Sequence, residues 1–302
     1  MIPVIAGPTA SGKTALALQL AEHFPLEIIS ADAMMVYRGM DIGTAKPTPA
    51  ELEQIPHHLI DVCDPDEAFN VADYVRHAEV AIEEVLARGK TPLVVGGTGF
   101  YVRALAEGLG TVPPTDEKVQ APLWQQFERD GIEGLHERLE SLSPSDAKRA
   151  QRNPRRVIRA LEIWGRSGKS PSDFPKSQPA YSYSKVLLLP ELGVLEPRIH
   201  SRTETMFAAG LVQEVEDLLS TYPKLATARQ AIGYKEVIEH LEGRLSLEEA
   251  KDAVTLATRQ YAKRQRTWFR KEGKRSEDNL VLAGLGAEVE AEVEVWFSSL
   301  IH

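Results

Sequence analysis

The chain is poor in the features that would settle its class by themselves. Cys63 is the only cysteine in 302 residues, which excludes an internal disulfide and leaves the apolar core to hold the fold. No apolar run approaches the roughly 18 residues needed to cross a bilayer. Nor does a charged and apolar leader with a small-residue cleavage site precede the first apolar stretch. The expected setting is therefore the cytoplasm, with no membrane contact. Positive charge is in deficit as well: the net charge is −9, and spread evenly it would repel nucleic acid. No internal repeat is visible. The length, with 43 % hydrophobic residues, supports one large or two modest domains.

The charge is not spread evenly. Residues 148–159 (KRAQRNPRRVIR) carry six cations and no acid, and residues 259–275 (RQYAKRQRTWFRKEGKR) carry eight cations opposed only by Glu272. Acids gather near the C-terminus instead, at Glu288, Glu290, Glu292 and Glu294. A single basic run is ordinarily a solvated helix face, but two in an acidic chain point to a polyanionic partner. The second run interleaves Tyr261, Trp268 and Phe269, rings that suit either base stacking or core packing.

The sharpest motif is Gly7-Pro8-Thr9-Ala10-Ser11-Gly12-Lys13-Thr14, which fits the spacing G-x-x-x-x-G-K-[ST]. Apolar residues 2–6 read as a strand before it and residues 15–21 as a helix after it, which is the context the motif requires. In such a loop the backbone N–H groups point inward around an anion. The helix N-terminus adds partial positive charge, Lys13 adds a full one, and the Thr14 hydroxyl is placed for Mg²⁺.

Strands are expected at 26–30, 59–62 and 92–95, with a helix over 71–88 capped by Asn70 and stopped at Gly89. This alternation predicts an α/β fold of the P-loop type, a parallel sheet flanked by helices with its ligand at the carboxyl edge of the strands. Asp32 and residues 96–99 then become candidate site residues. Beyond Pro113-Pro114 the texture turns helical, with breaks expected at Pro122, Pro144, Pro154 and Pro171. A strand is expected again at 186–189, and helices from 198 onward with stops at Gly210, Gly233 and Gly243. The predicted organisation is a core of residues 1–111 and 184–302 carrying an inserted all-helical domain, 112–183.

An acid directly after an apolar strand usually holds Mg²⁺ and orients water in ATPases and GTPases. Here the strand at 92–95 runs into Gly96-Gly97-Thr98, and only Asp61 and Asp64 flank a weaker strand. A hydrolytic motor is disfavoured. On residues alone, two other readings remain: a P-loop small-molecule kinase using ATP, which leaves the basic runs idle, and a non-catalytic RNA-binding protein, which leaves Asp32 idle.

Taken in order, the segments AGPTASGKT, SADAMMVYRGMDIGTAKP, HHLIDV, VVGGTGFYVRAL, RNPRRVIRALEI, RQAIGYKEV and ATRQYAKRQRTWFR resemble the bacterial tRNA dimethylallyltransferase family. The resemblance implies transfer of a dimethylallyl group from dimethylallyl diphosphate to the exocyclic N6 amine of the adenosine 3′ of the anticodon, with release of diphosphate. It also implies Mg²⁺ as cofactor, the tRNA anticodon stem-loop as partner, and a monomer. The loop Gly7 to Thr14 would grip the leaving diphosphate together with Arg202; the P-loop fold is also compatible with ATP binding, which the reaction does not use. Asp32 would act as general base, with Thr98 hydrogen-bonding near the amine. Contacts to tRNA would come from Asp32, Ala33, Met34, Met35, Thr98 and Gln120, from Gln151, Arg152, Asn153, Pro154 and Arg155, and from Arg229, Gln230, Gly233 and Tyr234. The target base must flip out of its stack, which costs least in a single-stranded loop. Ala33 and Met35 stand where the family usually has serine and glutamine, and Gln120 where it often has arginine.

Overall fold

The apolar runs become strands that are buried on both faces. In the computed structural model, which describes every residue except 223, 226, 227, 277 and 302, β1 (Ile2–Ala6), β2 (Leu26–Ser30), β3 (His57–His58), β4 (Thr91–Gly96), β5 (Tyr183–Leu188) and β6 (Leu280–Leu282) form one sheet of order β3-β2-β4-β1-β5-β6. Every pairing in it is parallel. Alternate side chains leave opposite faces: Val4, Ala6, Ile29, Val94 and Leu187 pack on one side, Ile5, Ile28, Leu93, Val95 and Val186 on the other. Because helices cover both faces, the strands read as continuous apolar runs rather than as alternating ones.

The first face is covered by α3 (Val71–Ala87) through Tyr74, Ala78 and Ile82, by α4 (Gly99–Glu107) through Val102 and Leu105, and by α12 (Leu247–Gly273) through Phe269. Against the second lie Leu16, Ala17 and Leu20 of α1 (Lys13–His23) and Val293 and Phe297 of α13 (Ala287–Ile301). The acid-rich tail is thus an ordered helix docked by one apolar stripe. A third cluster joins residues 36–40 to α10 (Leu211–Thr221) and α11 (Tyr234–Leu241), with Tyr37, Met40, Val215, Tyr234 and Val237 at its centre.

Two local expectations change. The strand expected at 59–62 does not form: the chain pairs instead at His57–His58, and Leu59 and Asp61, at positive φ of 64° and 56°, end the ladder before it. Pro122 does not break a helix but lies inside α5 (Glu117–Asp130). It forfeits one early hydrogen bond, while Leu123, Trp124 and Phe127 beyond it still pack into a core. Pro144 and Pro154 instead open α7 (Pro144–Ala150) and α8 (Pro154–Ser167) at the first helical turn, where the missing N–H costs nothing.

The chain divides into two compact units, 1–106 with 180–302, and 107–179. The second starts before the expected 112 and stops before 183, since α4 runs to Glu107 and Tyr183 already belongs to β5. It is all-helical, with α5, α6 (Glu133–Leu142), α7 and α8 around Leu135, Leu139, Val157, Ile158 and Leu161. At its centre the carboxylate of Glu162, wholly buried, accepts from Arg159 (2.6 Å), the Gln120 amide (2.7 Å) and the Asp116 N–H (2.7 Å). Among the described residues no helix is long and apolar enough to cross a membrane.

Candidate active site

The sheet order delivers the phosphate-loop motif to a defined place. Ala6 pairs with Gly96 of β4 on one side and Leu187 of β5 on the other, so residues 7–12 emerge at the carboxyl edge of the sheet, between two neighbouring strand ends. Gly12 turns the chain into α1 at φ 84°, a conformation that strains any residue with a Cβ. The Lys13 ammonium folds back to donate to the Pro8 carbonyl at 2.7 Å. Within the same loop the Ser11 hydroxyl is buried with no partner in the protein, and Thr14 is exposed toward the cavity.

Two further strand ends converge on this loop. After β2, Asp32 Oδ1 accepts from the Met34 N–H (2.8 Å) and the Met35 N–H (3.4 Å). These bonds orient the carboxylate, and among the described residues Oδ2 has no hydrogen-bond partner. After β4, the Thr98 N–H donates to the Ala31 carbonyl (3.1 Å) while its hydroxyl accepts from the Ala33 N–H (3.0 Å), binding the two loops together. From α12, Gln265 accepts from the Thr9 N–H (2.8 Å) and donates to the Gly97 carbonyl (2.7 Å). A Cβ at Gly97 would come within 2.5 Å of the Gln265 amide nitrogen, so a larger residue there would displace this bridge. The Tyr261 hydroxyl is hydrogen-bonded with Thr98 and Gln265, and burial followed by the charge of Asp32 pushes its phenol up to about 12.

Positive charge is concentrated on one wall of the cavity, with Asp32 close enough to act on it. One helical turn apart on α9 (Leu192–Ala208), Arg198 and Arg202 line the same cavity as Lys13. Arg202 donates to the Thr9 hydroxyl at 3.3 Å. Burial, then the neighbouring Arg198, holds the Arg202 guanidinium below its ordinary value. Burial and then Arg202 bring Lys13 down to about 7, against an opposing pull from Asp32. Three cations crowded together at a helix N-terminus form an arrangement suited to an anion. The cavity measures about 590 Å³ and mixes this polar wall with Leu18, Ile28, Met35, Ile60 and Met206.

The remaining candidates separate by place. Ala33, Met34, Met35 and Gln230 line the cavity. Arg229 is exposed and paired with Glu242 at 2.9 Å. Gly233, at φ 94°, caps α11, and Tyr234 is buried with its hydroxyl on Glu214 at 2.6 Å. Glu214 also receives the N–H groups of Asp41, Ile42 and Gly43, so the Tyr234 ring serves to fix that loop. In the helical unit, Gln120 is engaged by Glu162. Gln151 and Arg152 form a tight turn with φ of 52° and 56°, Asn153 caps α8, Pro154 opens it, and Arg155 stands exposed in its first turn. Sequence reading missed Gln265 and Arg198. The four-residue spacing of Arg198 and Arg202 was the available signal for one; for Gln265, an uncharged residue inside a basic run, there was little.

A glycine-rich loop at the carboxyl edge of a parallel sheet, three neighbouring cations and an oriented carboxylate in one cavity define a P-loop-type α/β protein. Residues 35–272 match the family model described as IPP transferase, and the chain belongs to that family. It is 55 % identical over 271 residues to the tRNA dimethylallyltransferase of Thermus thermophilus, covering 90 % of each chain. Identity to the protein of the same name from Deinococcus radiodurans is 46 % over 295 residues, 96 % of this chain and 92 % of that one. Among solved structures, the full-length tRNA isopentenylpyrophosphate transferase of Bacillus halodurans superposes with a TM-score of 0.71 at 38 % identity, covering 99 % of this chain and 95 % of that one. A eukaryotic dimethylallyltransferase acting on tRNA gives 0.76 at 30 % identity over 93 % and 73 %.

Proposed function

We propose that the chain transfers the dimethylallyl group of dimethylallyl diphosphate to the exocyclic N6 amine of the adenosine 3′ of the anticodon in tRNA. The observation that carries this reading is the open oxygen of Asp32 in the same cavity as Lys13, in a chain whose relatives bear the names above. The bond broken is between carbon and oxygen, so diphosphate departs intact and no activated water is required. The bond formed joins N6 to the allylic carbon. Adenine's amine is a weak nucleophile because its lone pair is delocalised into the ring. Asp32 Oδ2 accepts its proton as the new bond forms, a contribution of about 10² to 10⁴-fold.

Lys13, Arg198, Arg202 and the N–H groups of the loop hold the diphosphate and stabilise the charge that grows on its leaving oxygen. Thr98, fixed by Ala33 and Tyr261, orients the amine. Mg²⁺ fits the residues present. Among the described residues no set of three acidic, histidine or cysteine side chains could cage a metal, whereas Mg²⁺ is ordinarily held by one or two protein oxygens plus substrate phosphates and water. Thr14 would hold it, and it would neutralise diphosphate charge. The exposed cations of residues 148–159 and 259–275 suit salt-sensitive contacts to RNA phosphates. The protein is proposed to act as a monomer in the cytoplasm.

The test is mass spectrometry of anticodon-loop nucleosides after incubating protein, Mg²⁺, dimethylallyl diphosphate and unmodified tRNA, with Asp32→Ala in parallel. A five-carbon mass gain on that adenosine, lost in the variant, supports the reaction and the base. Absence of any gain, with ADP formed from ATP and small acceptors, would replace this reading by a kinase. A gain persisting in Asp32→Ala removes the base assignment alone.

A further inference from the structure

Tyr261 and Gln265 stand one helical turn apart on α12, so their side chains leave the same face of that helix. Both line the cavity together with Asp32 and Thr98. The phenol is hydrogen-bonded with Thr98 and with Gln265. Gln265 is held at both ends of its amide, Oε1 accepting from the Thr9 N–H at 2.8 Å and Nε2 donating to the Gly97 carbonyl at 2.7 Å. At the other end the Thr98 hydroxyl accepts from the Ala33 N–H at 3.0 Å. A line of polar groups therefore runs from the phosphate loop through Gln265 and Tyr261 to Thr98.

Counting hydrogens along that line shows what the phenol does for Thr98. A threonine hydroxyl has one hydrogen and two lone pairs. The Ala33 N–H occupies one lone pair, so one lone pair and the hydrogen are left for the phenol and the reactant. If the phenol donates to Thr98, the last lone pair is spent, and the Thr98 hydrogen points at the reactant. There it competes for the N6 lone pair that has to attack. If Thr98 instead donates to the phenol, its remaining lone pair accepts one N–H of the amine while Asp32 accepts the other, and the N6 lone pair stays free. The phenol can take that hydrogen because its own has a destination: Gln265 Oε1 spends one lone pair on the Thr9 N–H and keeps a second.

We propose that Tyr261 is a positioning residue that takes the Thr98 hydrogen and so keeps Thr98 an acceptor toward the N6 amine. The inference rests on the transfer reaction proposed above. The amine begins with two hydrogens. The one on Asp32 leaves as nitrogen–carbon bond formation accompanies carbon–oxygen cleavage, and the one on Thr98 stays on nitrogen in the product. The phenol gives up no proton in the reaction. Burial, which pushes its pKa up to about 12, suits a group that stays neutral.

The test is a double-mutant cycle on the rate of a single turnover, with unmodified tRNA limiting and protein, Mg²⁺ and dimethylallyl diphosphate saturating. That rate constant is independent of how much of a variant is folded. Tyr261→Phe keeps the ring and removes the hydroxyl. It is expected to slow the saturated turnover about tenfold, the upper worth of one neutral hydrogen bond, with half-saturating concentrations of tRNA and diphosphate donor within about threefold of wild type. Thr98→Ala should also slow the turnover, and adding Tyr261→Phe to it should change the rate by less than about twofold, because the phenol then has nothing to orient. A wild-type rate in Tyr261→Phe or in Thr98→Ala overturns the inference, and so does a Tyr261→Phe effect confined to the half-saturating concentrations. Equal slowing by Tyr261→Phe in both backgrounds overturns it too, since the phenol would then act without Thr98. All of these leave the transfer reaction standing, whereas no product from the wild type overturns that reaction and the inference with it.

Discussion

Gln265 Oε1 accepts the backbone N–H of Thr9 at 2.8 Å although the two residues stand 256 positions apart. Its amide nitrogen meanwhile donates to the Gly97 carbonyl at 2.7 Å. One buried side chain thereby sets the phosphate loop against the loop that carries Thr98. Replacing Gln265 by leucine leaves two backbone groups unpaired, at about 1–3 kcal/mol each. The expected outcome is a loss of about 2–4 kcal/mol in denaturant-induced unfolding, with kcat/KM reduced more than stability alone explains, since a small misplacement of reacting groups costs about 10²-fold. Wild-type kinetics in a Gln265→Leu protein shown to be destabilised would deny the bridge a part in positioning.

Lys13 sets a pH dependence with two faces. Its folded value is near 7 and its unfolded value near 10.5, so between those limits the unfolded chain binds more protons. Stability attributable to this residue therefore rises with pH across that window and is level below it. Bound diphosphate favours the ammonium and should return the proton. Titration calorimetry with diphosphate at pH 8, in two buffers of different ionisation enthalpy, is expected to record uptake approaching one proton, absent in Lys13→Met. Equal heats in both buffers would contradict this.

Glu27 of β2 is buried, which disfavours its charge, yet hydrogen bonds from Arg88 (2.6 Å), His58 (2.7 Å) and Lys90 (3.0 Å) outweigh that and bring its carboxyl down to about 2. Because the folded value is depressed, the stabilisation is complete above the unfolded value of about 4.5 and is lost as pH falls toward 2. Glu27→Gln should cost about 3 kcal/mol at pH 7, the scale for removing one partner of a buried ion pair. Between pH 4.5 and 2 the difference from wild type should shrink, and a gap that stays constant over that range would refute the assignment.

In the helical unit Glu162 is opposed by burial but held in its charged form by Arg159, Gln120 and the Asp116 N–H. Glu162→Ala should destabilise the 107–179 unit by about 3–5 kcal/mol. Limited proteolysis followed by mass mapping is the measurement: first cuts are expected within 107–179, and an unaltered cleavage pattern would remove Glu162 from that role.

Much of this protein was written in short-range pattern. The phosphate loop, the strands at β1, β2, β4 and β5, the Asn70 cap and the Gly89 stop are local matters of spacing, sterics and side-chain reach, and a linear reading recovers them. The same reading placed Asp32 after a strand and so at the ligand edge, and the ordered motifs carried the family. The failures are of another kind. The strand expected at 59–62 is absent, the pairing falling just before it at His57–His58, because two of its residues adopt positive φ, which no periodicity announces, and Pro122 survives inside α5 because apolar residues beyond it find a core. Tertiary structure alone decided that Arg198 would join Arg202 beside Lys13, that Tyr234 would turn inward onto Glu214, and that Gln265 would reach Thr9. Those contacts join residues far apart in sequence, and they form where packing of separate helices against one sheet brings them together, an outcome of the whole core that no single segment encodes.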